Sequence, residues 1–293
     1  MISLLSILPA AGLALAAPAD EAVCHAPLGS DRLLEETTGR VLLLGETHGT
    51  EQAPQFADAL VCLALLRGES VVLGLEQSSY EQERIDIYLA SNGSEAAQQA
   101  LFEASPFWNS RFKDGRSSLA MLDLLEQERT RMSAGADLKV MALDFGPTDA
   151  DLVDIDFRRD RAMLRNALSE QSQADRVIVL VGGIHARRIA AQFGERRIET
   201  IGSLAGEGEV VSVRTLYGRG ESWNCRGDAE GNVDCGVHER SSSPYDGEPR
   251  LISRDEYAGE EAFDYFADAY DYFVYLGSVT ASLPAVPLPD VEN

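Results

Sequence analysis

Four stretches of the chain are apolar without alternation, and each runs out into an acid or a histidine. They are Val41 to His48 (VLLLGETH), Val71 to Glu76 (VVLGLE), Val140 to Asp144 (VMALD) and Val177 to His185 (VIVLVGGIH). Short, branched, uninterrupted apolar runs suit central strands of a parallel sheet covered on both faces; a sheet wetted on one face would alternate. Parallel strands end on a common edge, and open α/β sheets place their ligands there. Glu46, His48, Glu76, Asp144 and His185 are therefore expected to converge from distant parts of the chain.

The segments between these runs carry a different period. Glu51 to Leu66 reads as an amphipathic helix stopped near Gly68, which completes a βαβ unit with the first two strands. Tyr80 to Leu89, Ser94 to Glu103 and Ser117 to Met132 read as a helical insertion before the third strand, which starts at Leu138. Ser105 to Asn109 breaks the insertion. Its aromatics suit either ordinary core or the roof of a cleft, and core is the simpler reading. Gly146 to Asp154 is a polar break, and Ile155 to Gln171 is a helix with Phe157, Leu164 and Leu168 near one face. A helix is expected over Ala186 to Phe193, starting directly after His185, where its free N–H groups would favour an anion. Val210 to Leu216 alternates like a strand. Trp223 to Val237 reads as a hairpin turning through Gly227 to Asn232, and Ala262 to Leu276 as a last helix or strand. The expected fold is α/β: a mostly parallel central sheet flanked by helices, with a helical insertion and a C-terminal β-hairpin. One domain spans residues 20–283, followed by a flexible tail over 284–293.

Composition narrows the setting. A chain of 293 residues with 45 % hydrophobic content can bury a sizeable core. Met1 to Ala19 has the apolar run and small-x-small ending (Ala17-Pro18-Ala19) of a secretory signal peptide, with only the terminal amine as positive charge before it. That predicts a periplasmic or secreted product with no membrane segment after signal removal. The net charge of −23 argues against nucleic acid and anionic membrane as partners and is otherwise uninformative; a small-molecule or peptide substrate is the expected partner. Four cysteines in an exported chain suit two disulfides. Three pairings are open; the hairpin favours Cys225 with Cys235, leaving Cys24 with Cys62.

The strand-end residues define the chemistry. A carboxylate two positions from an imidazole, as in Glu46 and His48, can orient the ring, raise its basicity or share a metal with it. Gly45 and Gly49 flank the pair and permit sharp turns. Each of these histidines alone is most simply a half-buried structural residue, and Glu76 or Asp144 alone a helix-capping acid. Their common edge is what argues for a site. His25 and His238 lie in polar surroundings and read as surface residues. Buried acids need partners, and Arg158, Arg159 and Arg161 at a helix start are the available cations. A glycine-rich phosphate loop, a Gly-x-Ser-x-Gly elbow and a His-Glu-x-x-His motif are all missing from the sequence.

Leu44-Gly45-Glu46-Thr47-His48-Gly49-Thr50 resembles the first motif of the erythromycin esterase, ChaN and Tiki superfamily. Glu76 after VVLGL resembles its second acid. Arg159-Asp160-Arg161-Ala162-Met163 is similar to its Arg-Asp-x-x-Met motif, and Val181-Gly182-Gly183-Ile184-His185-Ala186 to its last. The one-residue spacing in Glu46-Thr47-His48 and the Gly-Gly-Ile-His sequence resemble the ChaN and Tiki members more closely than the esterases. The resemblance implies a parallel sheet between helices with these motifs meeting in one cleft. Activities differ among its members: macrolide ester hydrolysis, metal-dependent proteolysis, and haem or iron binding. Three readings follow. The first is hydrolysis of an ester or amide by Glu46, His48, Glu76, His185 and Arg159, with Glu46, His48, Glu76 and His185 as candidate ligands of a divalent metal ion. There His48 takes a proton from water, and His185 or Arg159 stabilises the oxyanion. The second is haem or iron binding without turnover, and the third a structural role.

Overall fold

The computed structural model describes residues 24–145, 155–227, 233–241, 245–258 and 267–288. The signal segment Met1 to Ala19, the polar break Gly146 to Asp154 and most of the hairpin turn lie outside them. In chain order the elements are α1 (Ser30–Glu36), β1 (Val41–Glu46), α2 (Gln52–Leu66), β2 (Val71–Ser78), α3 (Gln82–Leu89), α4 (Glu95–Phe102), α5 (Leu119–Ser133), β3 (Leu138–Asp144), α6 (Ile155–Gln171), β4 (Arg176–Gly182), β5 (Ala191–Phe193), β6 (Arg196–Ile198), α7 (Ile201–Leu204), β7 (Val210–Leu216), β8 (Arg219–Gly227), β9 (Val233–Ser241), β10 (Arg250–Ser253), α8 (Arg254–Ala258) and β11 (Tyr272–Tyr275).

Seven strands form one sheet in the order β10-β11-β7-β1-β4-β2-β3. Every neighbouring pair is parallel except β10 with β11. The unalternating apolar runs are central strands, and the two phases of each run feed two separate cores. Leu42, Leu44, Leu73, Leu75, Ile178 and Leu180 pack with Phe56 and Leu60 of α2 and Leu125 of α5. Val41, Leu43, Val72, Val177, Val179 and Val181 pack with Met163, Leu164 and Ala167 of α6 on the opposite face. Burial of such a side chain contributes about 1.5–3 kcal/mol, so exchanging a run residue for a polar one is costly on either face. Register places Glu46 beside Gly182 and ends β1, β2, β3 and β4 on one edge.

Most sequence-predicted elements stand at or within a few residues of their expected bounds. No helix forms over Ala186 to Phe193. His185 sits in a turn closed by its N–H to the Gly182 carbonyl. The chain then makes the small β5–β6 hairpin, whose turn uses Gly194 at φ +59°. The backbone N–H groups of Arg187 and Arg188 are taken by the carbonyls of Ile184 and Ala269, so no helix N-terminus is available to an anion beside His185. The aromatics of the helical insertion are core: Trp108 is fully buried against Phe102 and Phe107. Part of the stretch expected to be a flexible tail is paired with the body of the protein. Pro284 bridges to Ser118 and the Ala285 N–H binds the Ser117 carbonyl, while 289–293 lie outside the described residues. The hairpin β8–β9 is longer than expected at both ends and forms its own two-stranded sheet.

Cys24 is bonded to Cys62, which ties the N-terminal segment to α2, and Cys225 to Cys235, which fastens the hairpin. No described helix is long and apolar enough to cross a membrane. The oxidised protein is expected to be four hydrogens lighter in intact mass than the reduced protein, and to show no thiol labelling in denaturant. Replacing Cys24 and Cys62 together by Ser is expected to cost about 3–4 kcal/mol in urea unfolding, from the chain entropy of the opened loop. Labelled thiols in oxidised material would contradict both pairings.

Candidate active site

Local features at the ends of β1, β2 and β4 position the site. β1 stops at Glu46, and the chain turns through His48 and Gly49. Gly49 adopts φ +73°, and a Cβ there would stand 1.8 Å from the Trp223 carbonyl oxygen, so the turn needs glycine. The turn, rather than continued strand alternation, brings His48 Nδ1 to 2.9 Å from Glu46 Oε1. The β2–β3 ladder slips between Leu75 and Ser78, so Glu76 lies where the pairing is irregular. β4 ends on Gly182, where a Cβ would come within 2.8 Å of His48 Nε2 and 3.4 Å of Glu76 Oε2. Gly182 thus leaves room for both side chains.

Glu76 is the meeting point. It is buried, and its Oε2 accepts the Gly182 N–H at 2.6 Å. Its Oε1 accepts from Arg159 and, at 3.0 Å, from Arg116. His48 Nε2 stands 3.6 Å from Oε2, and His185 Nε2 the same distance from Oε1. Burial works against the carboxylate, yet His48 and the two guanidiniums outweigh it and hold its pKa well below the ordinary range. Burial also opposes charge on His48, but the carboxylates of Glu76 and Glu46 prevail and raise its pKa above the ordinary imidazole value. Asp144 goes the other way: burial raises its pKa despite Arg159.

His185 belongs to a second arrangement. Its Nδ1 lies 2.9 and 3.0 Å from the two oxygens of Asp160, and its Nε2 lies 3.1 Å from Arg159 Nη1. Arginine can only donate, so the network assigns the tautomer with the proton on Nδ1 and the lone pair on Nε2. Asp160 is fixed in turn by the Ile201 N–H at 2.9 Å. Arg159 Nε donates to Asp144 Oδ2 at 2.6 Å. Arg116 is held by Asp114 through Nε at 2.9 Å.

All five predicted strand-end residues and Arg159 are therefore brought to one place. Arg161 points away and pairs with Glu199 at the surface. His25 is exposed, but His238 is half-buried on the hairpin. Arg116, Asp114 and Asp160 were missed as site residues. The first two lie in an irregular stretch between α4 and α5 with no periodic signal, although Gly115 at φ +97° packs on the His48–Gly49 turn and marks the contact. Asp160 was visible only as part of the Arg-Asp-x-x-Met resemblance.

The metal-ligand expectation for Glu46, His48, Glu76 and His185 does not fit. Both Glu76 oxygens and both His185 nitrogens are committed to neighbours, Glu46 Oε1 is committed to His48, and guanidiniums stand where a cation would. Among the described residues no group of three or more His, Cys, Asp or Glu side chains is arranged to hold a metal ion. What remains open is a cleft of about 560 Å³ floored by Glu46, His48, Asp114 and His185 and walled by the β8–β9 hairpin.

No family model and no curated protein matches this sequence. Solved structures do match in fold. A Bacillus cereus protein superposes with TM-score 0.62 at 12 % identity, over 87 % of this chain and 93 % of its own. A succinoglycan biosynthesis protein gives 0.63 at 9 %, over 86 % and 91 %. A mutant of the erythromycin esterase EreC in its open conformation gives 0.61 at 9 %, over 88 % and 95 %. At these identities the likeness establishes the fold, which is the one the sequence motifs led us to expect.

Glu76→Gln is expected to destabilise the protein by about 3 kcal/mol in urea unfolding, the low end for removing one partner of a buried ion pair. The low end applies because Arg159 keeps Asp144 and Arg116 keeps Asp114. Glu76 has a depressed native pKa, so its contribution is present above the ordinary value of 4.5 and is lost as pH falls through the lower native value. His48 contributes in the opposite sense: fully below 6.5, and lost as pH rises through its raised native value. Equal wild-type and Glu76→Gln stability at pH 6 would remove Glu76 from its central place.

Proposed function

We propose that this protein is an exported hydrolase that cleaves an ester or amide bond of a small molecule or peptide, with His48 as general base. The observation that carries the reading is the 2.9 Å contact between His48 Nδ1 and the buried Glu46 carboxylate. That contact keeps the Nδ1 proton in place and leaves Nε2 as the basic nitrogen of the ring. In the reaction, Nε2 takes a proton from water as the water oxygen bonds to the substrate carbonyl carbon. The imidazolium so formed lies between Glu46 and Glu76, both of which favour its charge. Nε2–H then returns the proton to the leaving oxygen or nitrogen as the carbon–heteroatom bond breaks.

The oxyanion needs a donor on the cleft side. His185 Nε2 faces Arg159 with its lone pair, and Arg159 is spent on Asp144, Glu76 and His185. Both act as positioning residues rather than oxyanion donors. Arg214 lines the cleft and is fixed by the carbonyls of Gly45 and Glu46 and by Thr47 Oγ1. We assign the oxyanion contact to it. The haem-binding alternative draws less support. The large apolar side chains of the cleft are Ile184 and Tyr270, whose hydroxyl donates to the Gly183 carbonyl, and both stand among charged groups, which is a poor match for the apolar slot a porphyrin requires. Two disulfides favour an oxidising compartment.

Purified protein is expected to hydrolyse members of a panel of chromogenic esters and peptide amides. His48→Ala should lower turnover by about 10²–10⁴-fold. Glu46→Gln should do nearly as much, because its amide can donate to Nδ1 and turn the ring to the tautomer that cannot accept at Nε2. The wild-type rate should rise with pH through a midpoint above 6.5, as His48 loses its proton. Turnover that His48→Ala leaves intact would sink this assignment.

A further inference from the structure

The hairpin wall of the cleft is basic in a chain whose net charge is −23. Ser222, Asn224 and Arg226 alternate onto one face of β8. The register of β9, with Gly220 opposite Arg240 and Ser222 opposite His238, brings Arg240 to the same face. Asn224, Arg226 and Arg240 all line the cleft, together with Arg214 from β7. The Cys225–Cys235 bond clamps the two strands at this level.

These guanidiniums differ from the two beneath the floor. Arg116 and Arg159 are matched by Asp114, Asp144 and Glu76. Arg240 Nε instead donates to the buried hydroxyl of Ser222 at 2.7 Å, and Arg226 Nη2 to the Glu239 carbonyl at 3.3 Å. Arg214 binds two carbonyls and a hydroxyl. Among the described residues no carboxylate forms an ion pair with any of the three. Burial disfavours the charge on Arg240 and prevails; Tyr217 acts against that, and Arg226 and Arg214 add to it. Asn224 supplies an independent sign: its Oδ1 is buried with no hydrogen-bond partner among the described residues, while its Nδ2 donates to Ser222 Oγ. Turning the amide over lets Oδ1 accept from the Ser222 hydroxyl and puts the NH₂ group at the buried position, where it needs an acceptor of its own. With no ion-pair partner among the described residues, the exposed Arg226 and the half-buried Arg214 and Arg240 beside Asn224 make a site for an oxyanion, which guanidinium forks bind through paired N–H groups.

We infer that Asn224, Arg226 and Arg240 form a subsite for an anionic group, a carboxylate or a phosphate, held at the hairpin side of the cleft. Resting on the hydrolytic reading of the same cleft, this makes the substrate an ester or amide that also bears such a group. Arg214, at the junction with the floor, faces the reacting carbonyl. The acidic remainder of the surface repels anions, so capture depends on this local patch and weakens with salt.

The test separates binding from turnover. The oxidised full-length protein is titrated calorimetrically with inorganic phosphate and, separately, with succinate at low ionic strength. Wild type is compared with Arg240→Ala, Arg226→Ala and Arg161→Ala; the last removes the same charge at a surface pair with Glu199, outside the cleft. Saturable binding of at least one anion is expected. Loss of either hairpin arginine should weaken it by roughly tenfold or more, the usual effect of removing a charged hydrogen bond, and Arg161→Ala should not. The anion that binds more tightly identifies the group. In parallel, a p-nitrophenyl ester with a terminal carboxylate on its acyl chain is compared with its neutral homologue. Wild type should prefer the anionic ester in kcat/KM, chiefly through KM, and Arg240→Ala should lose that preference. Arg240-dependent binding without ester turnover would keep the subsite and discard hydrolysis. No saturable binding of either anion to wild type, or equal weakening by Arg161→Ala, would overturn the subsite even if esters were cleaved.

Discussion

The site depends on one buried negative charge, the Glu76 carboxylate. Taking a carboxylate out of water costs several kcal/mol, and an unpaired one would protonate instead. Here the cost is offset by the Gly182 N–H, two guanidiniums and the nearby His48. Each partner comes from a different part of the chain: β4, the stretch after α4, α6 and the turn after β1. Satisfying Glu76 therefore fixes their mutual positions. Glu46 then orients His48 through Nδ1, while Asp160 and Arg159 hold His185 through both ring nitrogens. Preorganisation of this kind lets a base act without rearranging its surroundings during the reaction.

The strands were legible because their run length and lack of alternation follow directly from burial on two faces, and the parallel order then dictated a shared edge. Glu46, His48, Glu76, Asp144 and His185 could be placed together on that argument alone. Arg116 and Asp114 could not. They sit in irregular chain, and only the close packing of Gly115 on the His48–Gly49 turn brings them in. The helix expected after His185 failed for a physical reason. Gly182 and Gly183 let the chain turn tightly enough for Tyr270 to bind the Gly183 carbonyl, and the following N–H groups found loop carbonyls instead of a helical ladder. The roles of the two histidines were also beyond the sequence, because they hang on which nitrogen meets a carboxylate and which meets an arginine.

The electrostatic design divides the cleft. Beneath its floor, positive charges neutralise acids and set their geometry. On its hairpin wall, positive charges meet only neutral acceptors among the described residues. A base raised in strength by two carboxylates is a poor place for an anion; on the proposed hydrolytic reading, a negatively charged part of a substrate would be held at the wall with its scissile bond over His48. The two disulfides support this division mechanically, since Cys225–Cys235 stiffens the wall itself.

Glu46 and Glu76 together raise the proton affinity of His48. Nitrogen-15 NMR of the imidazole, assigned by its loss in His48→Ala, measures that affinity without any substrate. The account predicts a titration midpoint above 6.5 in the wild-type protein, moving down in both Glu46→Gln and Glu76→Gln. A midpoint at or below 6.5, or one indifferent to both substitutions, would contradict it.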